Sequence, residues 1–448
     1  MAPREPWERV WIDAETYASD VHSLINCTQC HAGQAVDDMT LAHDGLIERP
    51  AVEAVETCGE CHPDVAPDSM GSLHTDLAGY DAAIYARSSP ELHDEIETVE
   101  SFHCNNCHAT CGDCHVSQPN SVGGGLLEGH VFVETPPMSG TCTACHGSRV
   151  QNEYYGLNEG YPSDVHFRER MSCVACHTGE EMHGEDMEAV AHRYDGEAEP
   201  SCISCHEGQV GAGSGIEQHE IHGTETLSCQ GCHSVAYTSC VNCHVERTDE
   251  GTPFYSVEEH SMTFYLGLNP LRSWERPYEY VTLRHVPVDV DSFSFYGASL
   301  LPNFDSRPTW VYSTPHNIQR ITPQNSACEN CHTNDAIWLT RDAVVEDEWT
   351  ANLSVMVDGA PPLPEGYVPP VSTDEAPAGG DDFWGGGDTA PPPTQSAEGD
   401  FWGGDTTTSP TPAPSSDDAF WGSSDETPTQ PPSEATPEPE SEDAFWGS

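Results

Sequence analysis

The stretch Cys104-Asn105-Asn106-Cys107-His108-Ala109-Thr110-Cys111-Gly112-Asp113-Cys114-His115 carries one pattern, Cys-x-x-Cys-His, twice within twelve residues. Working outward from it, the same pattern accounts for all 20 cysteines of the 448-residue chain. The thiol pairs are Cys27/Cys30, Cys58/Cys61, Cys104/Cys107, Cys111/Cys114, Cys142/Cys145, Cys173/Cys176, Cys202/Cys205, Cys229/Cys232, Cys240/Cys243 and Cys328/Cys331. Each pair is followed at once by a histidine: His31, His62, His108, His115, His146, His177, His206, His233, His244 and His332. Chance placement at this composition gives roughly 0.05 copies of the pattern used for c-type haem attachment. A disulfide framework has no need of a histidine after every second cysteine. A zinc ribbon takes four ligands from two pairs and needs no fixed histidine.

The spacing therefore predicts ten covalently attached haem c groups. Two thiols three residues apart on one turn each reach a vinyl group, and the following imidazole is placed to bind iron as proximal ligand. Fourteen histidines lie outside the motifs. Of these, His22, His43, His74, His93, His103, His130, His166, His183, His222, His260, His285 and His316 are the candidates for distal ligands. His192, and one of His219 or His222, are the weakest. With histidine in surplus, methionines such as Met171 and Met182 read as packing residues.

Composition bounds the class. Seventy-five acidic residues stand against 15 basic ones, a formal charge of −60, and every basic residue is arginine. Such a surface excludes a general nucleic-acid binder and disfavours docking on anionic lipid. No run of about 18 apolar residues predicts a transmembrane segment. The opening residues lack the apolar core of an export signal, yet covalent haem attachment implies a periplasmic, extracellular or cell-surface location. The acidity suits a basic redox partner, a positively charged mineral surface or high salt.

The expected fold is mostly irregular and haem-cored, with short helices and long loops between Gly-, Pro-, Asp- and Ser-rich stretches. Three segments are expected. Residues 1–250 form a multihaem body with nine motifs, and residues 251–358 form an aromatic, strand-rich segment bearing the tenth. Within it, Pro253-Phe254-Tyr255, Thr263-Phe264-Tyr265, Tyr278 to His285 and Phe293 to Leu301 read as short strands. Residues 359–448 hold eighteen acidic and no basic residues, and predict a disordered tail. That tail repeats a motif four times, with Phe383-Trp384, Phe401-Trp402, Phe420-Trp421 and Phe445-Trp446 each followed by glycine. Repeated stickers on a solvated string suit multivalent docking to an unidentified partner.

Residues 20–335 resemble bacterial multihaem c-type cytochromes. Asp164-Val165-His166, Met171-Ser172-Cys173-Val174-Ala175-Cys176-His177 and His183-Gly184 look like the ligand-bearing segment of the octahaem tetrathionate reductase and hydroxylamine oxidoreductase group. The resemblance implies an extracytoplasmic decahaem cytochrome that conducts electrons to another redox protein or an extracellular acceptor, as a single chain, homo-oligomer or filament. The alternative it implies is a reductase of a small nitrogen or sulfur compound at one open haem. Related reductases use an axial lysine, which this chain lacks, so the expectation is a non-enzymatic carrier with no catalytic residue assigned.

Overall fold

The computed structural model describes residues 4–368 except 77, 106–107, 185–191, 196–198, 236, 249–250, 263 and 287. Side chains at 148–149, 237–244 and 254–262 are also outside the description. The four tail repeats, with Phe383, Trp384, Phe401, Trp402, Phe420, Trp421, Phe445 and Trp446, lie beyond the described residues. The described residues fall in one compact unit.

Short helices dominate it, and many are the motifs themselves. Cys27–His31, Cys111–His115, Cys202–His206 and Cys229–His233 are each a single α-helical turn. Cys173–Ala175 and Cys328–Asn330 are 3₁₀ turns. A turn of either kind sets residues three apart on one face, so both thiols of a motif project together. The Cys111 turn is fixed by a capping box in which Thr110 and Asp113 satisfy each other's backbone groups.

The longest of the described α-helices, α1 (His93–His103), has Asp94 and Glu95 in its first turn, where carboxylates favour the helix dipole. Ile96, Val99 and His103 share its buried face. They pack with Val245, Leu300 and Leu301, flanked by Tyr85, Phe293 and Tyr296. The expected strand at Phe293 to Leu301 is absent. Asp289 and Asp291 bond locally to backbone N–H groups of Asp291 and Ser299, and these side-chain bonds replace a ladder.

Two antiparallel sheets form. The strands β1 (Tyr237–Arg247) and β2 (Pro253–Met262) pair as a hairpin with a bulge between Val241 and His244. The Cys240 motif therefore lies on a strand, unlike the helical motifs before it. The strands β3 (Tyr265–Leu268), β4 (Tyr280–His285) and β5 (Trp310–Tyr312) make a second sheet in that order. β4 is central, with Leu283 opposite Tyr265 on one side and Tyr312 on the other. Val281, Leu283, Leu339 and Val355 are fully buried there, with Trp310, Tyr312 and Val344 around them.

Asn352 locks this second sheet to the chain that follows. Its side-chain oxygen accepts from the backbone N–H of Thr309 and Trp310 at 3.1 and 2.9 Å. Its amide donates to Thr309 Oγ1 and the Glu348 carbonyl at 2.8 and 2.9 Å. Asn352→Leu leaves those two buried N–H groups without an acceptor, a loss of about 2–4 kcal/mol. Denaturant unfolding followed by tryptophan fluorescence reads this loss; an unchanged midpoint contradicts the role given to Asn352.

Candidate functional site: paired imidazoles along one cavity

Eight of the motif histidines face one histidine each from outside the motifs. The ring centroids are 6.3 Å apart in His62–His22, 6.0 Å in His31–His130 and 6.2 Å in His146–His74. They are 6.1 Å apart in His115–His183, 6.2 Å in His206–His166 and 6.3 Å in His177–His316. The last two pairs, His233–His219 and His332–His222, stand at 6.0 and 6.1 Å. Aromatic rings in simple contact often sit at such distances. Here, however, the separation holds within 6.0–6.3 Å while the interplanar angle runs from 20° to 77°. Constant distance with free rotation is what results when two rings each aim one nitrogen along a common axis.

The hydrogen bonds identify that nitrogen. Nδ1 of His31, His115, His233 and His332 meets the carbonyl of Ile47, Val133, Gln319 and Pro362, at 2.9, 2.6, 3.0 and 2.7 Å. Nδ1 of His22 and His166 meets Asp20 and Asp164, and that of His177 meets Glu181, all at 2.8 to 2.9 Å. His222 Nδ1 meets the Gln218 carbonyl at 2.9 Å, and His219 Nδ1 bonds the Gln209 carbonyl. With Nδ1–H committed, Nε2 keeps its lone pair for the space between the rings. Burial lowers the pKa of His74, His130, His146, His183 and His233, and takes His316 to about 4, so these rings are neutral at pH 7. His166 moves the other way, held up by its bond to Asp164.

Thiols of different motifs also meet in twos. Cys58 is drawn down to about 6 by its hydrogen bond with Cys111, whose own pKa is pushed up. Cys142 with Cys173, and Cys202 with Cys229, repeat the arrangement, the first of each falling to about 7. No disulfide forms among the described cysteines. The eleven pairings of rings and thiols line a single continuous cavity of about 4560 Å³, apart from the His332 ring, which does not line it. A site for one drug-sized molecule measures roughly 300–1,000 Å³, so this space suits several ligands side by side.

Not every expected distal histidine joins a pair. His285 instead binds Glu348 at 2.9 Å. His103 Nε2 lies 2.6 Å from the Tyr296 hydroxyl, His93 stacks on Tyr85 at 4.3 Å, and His43 is turned to the Met39 carbonyl. The side chains of His260, Cys240, Cys243 and His244, and residue Cys107, lie outside the described residues. His219, left among the weakest by sequence, faces His233. Its position ten residues before Cys229 carried no local signal.

One finding corrects the cofactor expectation. Among the described residues there is no group of three or more His, Cys, Asp or Glu side chains able to hold a metal ion. Donors occur in twos, so the described residues by themselves build no metal centre. The expectations of a multihaem cytochrome, a haem-cored fold, ten covalent haem c groups with their iron, and an electron conduit or haem reductase are corrected accordingly and not carried forward. What stands of the fold is short, irregular helices with a small antiparallel segment. No helix among the described residues is long and apolar enough to cross a membrane. Comparison with family models, with curated proteins and with solved structures finds no match.

Asp164 ties two strands of this geometry together. It is buried and accepts from the N–H of His166 and of Ile318, at 2.7 and 2.6 Å, besides the His166 ring. Asp164→Ala leaves those N–H groups unpaired and is expected to cost about 2–4 kcal/mol. Thermal unfolding of the purified protein measures it; a wild-type midpoint contradicts the assignment.

Proposed function

We propose that the protein is a multi-site scaffold for covalently attached organic groups, each held between one imidazole pair and tethered by the two thiols beside it. The observation that carries this reading is the set of eight motif–non-motif histidine pairs at one separation. Two imidazoles are too few to hold a bare ion. An occupant of the gap is therefore an organic group and not an ion. The motif thiols, projecting together from one turn, are its anchors: Cys27, Cys30, Cys58, Cys61, Cys111, Cys114 and their counterparts in the later motifs. The pairing residues are the motif histidines with His22, His74, His130, His166, His183, His219, His222 and His316.

Placement outside the cytoplasmic membrane goes with this reading. Thiols consumed in tethering neither cross-link nor oxidise in an oxidising compartment. The tail repeats at Phe383, Phe401, Phe420 and Phe445 are proposed to dock the scaffold on a partner through several weak contacts.

The test is chemical. The full chain is secreted from a bacterial host, purified, digested, and its motif peptides weighed. Each Cys-x-x-Cys-His peptide is expected to carry the same added mass, and the protein to show almost no free thiol. Twenty reactive thiols on unmodified peptides would overturn the proposal.

A further inference from the structure

Positive charge is scarce in this chain, and its placement is uneven. Of 15 arginines, Arg9, Arg49, Arg87, Arg193, Arg284, Arg307 and Arg320 line the cavity. Several of them converge on Tyr194. The Arg193 guanidinium lies 4.8 Å from the centre of its ring and that of Arg276 lies 5.3 Å away. Arg284 projects from β4, beside Val311 of β5, and its field reaches the Tyr194 hydroxyl. Burial, and then the charges of Arg193, Arg307 and Arg276, lower the pKa of the neighbouring His192 against the opposing charge of Asp195.

Only one of these cations is neutralised. Arg276 makes a two-pronged bond to Glu199, both contacts at 2.8 Å. Arg193 spends one N–H on the Tyr312 carbonyl at 2.7 Å. Among the described residues, Arg193, Arg284 and Arg307 form no ion pair. Arg284 Nε is buried and bonds to nothing described. His192 stands apart from the eight imidazole pairs, with its ring tilted at 44° to that of Tyr194 at 5.4 Å.

Gathering like charges against one another is unfavourable unless something opposes them. Asp195 lies in the same turn and its charge bears on His192, yet no described carboxylate forms an ion pair with these three arginines. Guanidinium is also the group whose planar fork matches two oxygens of an oxyanion at once. Arg193 and Arg307 are exposed, so the cluster sits where the cavity meets solvent.

We propose that Arg193, Arg284 and Arg307, with His192 beside them, form a binding site for a small, doubly charged oxyanion from solution at the mouth of the cavity. The net charge of the protein repels such an anion at long range, so a local cationic pocket is what its capture requires. The site stands on its own observations and does not depend on the identity of the tethered groups.

Equilibrium binding of inorganic sulfate to the purified full-length protein tests the proposal. Sulfate is expected to saturate one site and to weaken as chloride is raised. Arg284→Gln with Arg307→Gln is expected to weaken it at least tenfold, while Arg272→Gln, an arginine outside the cluster, leaves it unchanged. Circular dichroism confirms that the variants fold. Absence of saturable binding by the wild-type protein, as would follow if a carboxylate of a bound group already held the arginines, overturns the proposal. Equal affinity in the folded double variant overturns it as well.

Discussion

The fixed separation between opposed imidazoles is the constraint on which the rest of this structure depends. In many of these rings Nδ1 is tied elsewhere, which leaves Nε2 to face the gap, although the buried Nδ1 of His130 has no partner. The chain supplies that tie repeatedly, from a backbone carbonyl at His31, His115, His233 and His332, and from a carboxylate at His22, His166 and His177. These ties reach across the sequence. The Gln319 carbonyl that holds His233 belongs to a segment that also meets Asp164 through Ile318. The geometry of the site and the path of the chain are thus one set of contacts.

This constraint also explains a body with few regular elements. The chain is only 36% hydrophobic, and its fully buried apolar side chains concentrate in two places, around β4 and along α1. Between them the walls face a cavity instead of one another. Tight native interiors leave no such spaces among side chains alone.

Sequence revealed the motif turns well, because spacing of three and four residues is local physics. The Cys-x-x-Cys-His segments at Cys27, Cys111, Cys202 and Cys229 are helical turns as that spacing suggests. Partnership was much less legible. His222 finds His332 and His115 finds His183 through long-range folding that no local pattern records. His285, His103 and His93 looked equivalent to these as letters, but Glu348, Tyr296 and Tyr85 hold them elsewhere. The cofactor expectation went further than the donors do. Spacing counted ten attachment turns, whereas the described side chains gather in twos and build no metal centre of their own. The aromatic strands near β3 and β4 were readable from composition. The Phe293 to Leu301 turn was not, since Asp289 and Asp291 bond locally against the strand preference.

The central claim, that groups tethered at the motif thiols organise the body, is tested most directly by its dimensions when tethering is abolished. Hydrodynamic radius is measured for the full chain and for a variant with all twenty cysteines replaced by serine. The account predicts an expanded variant that retains only the local core around β3, β4 and β5. A variant as compact as the parent, with the same cooperative unfolding, would contradict it.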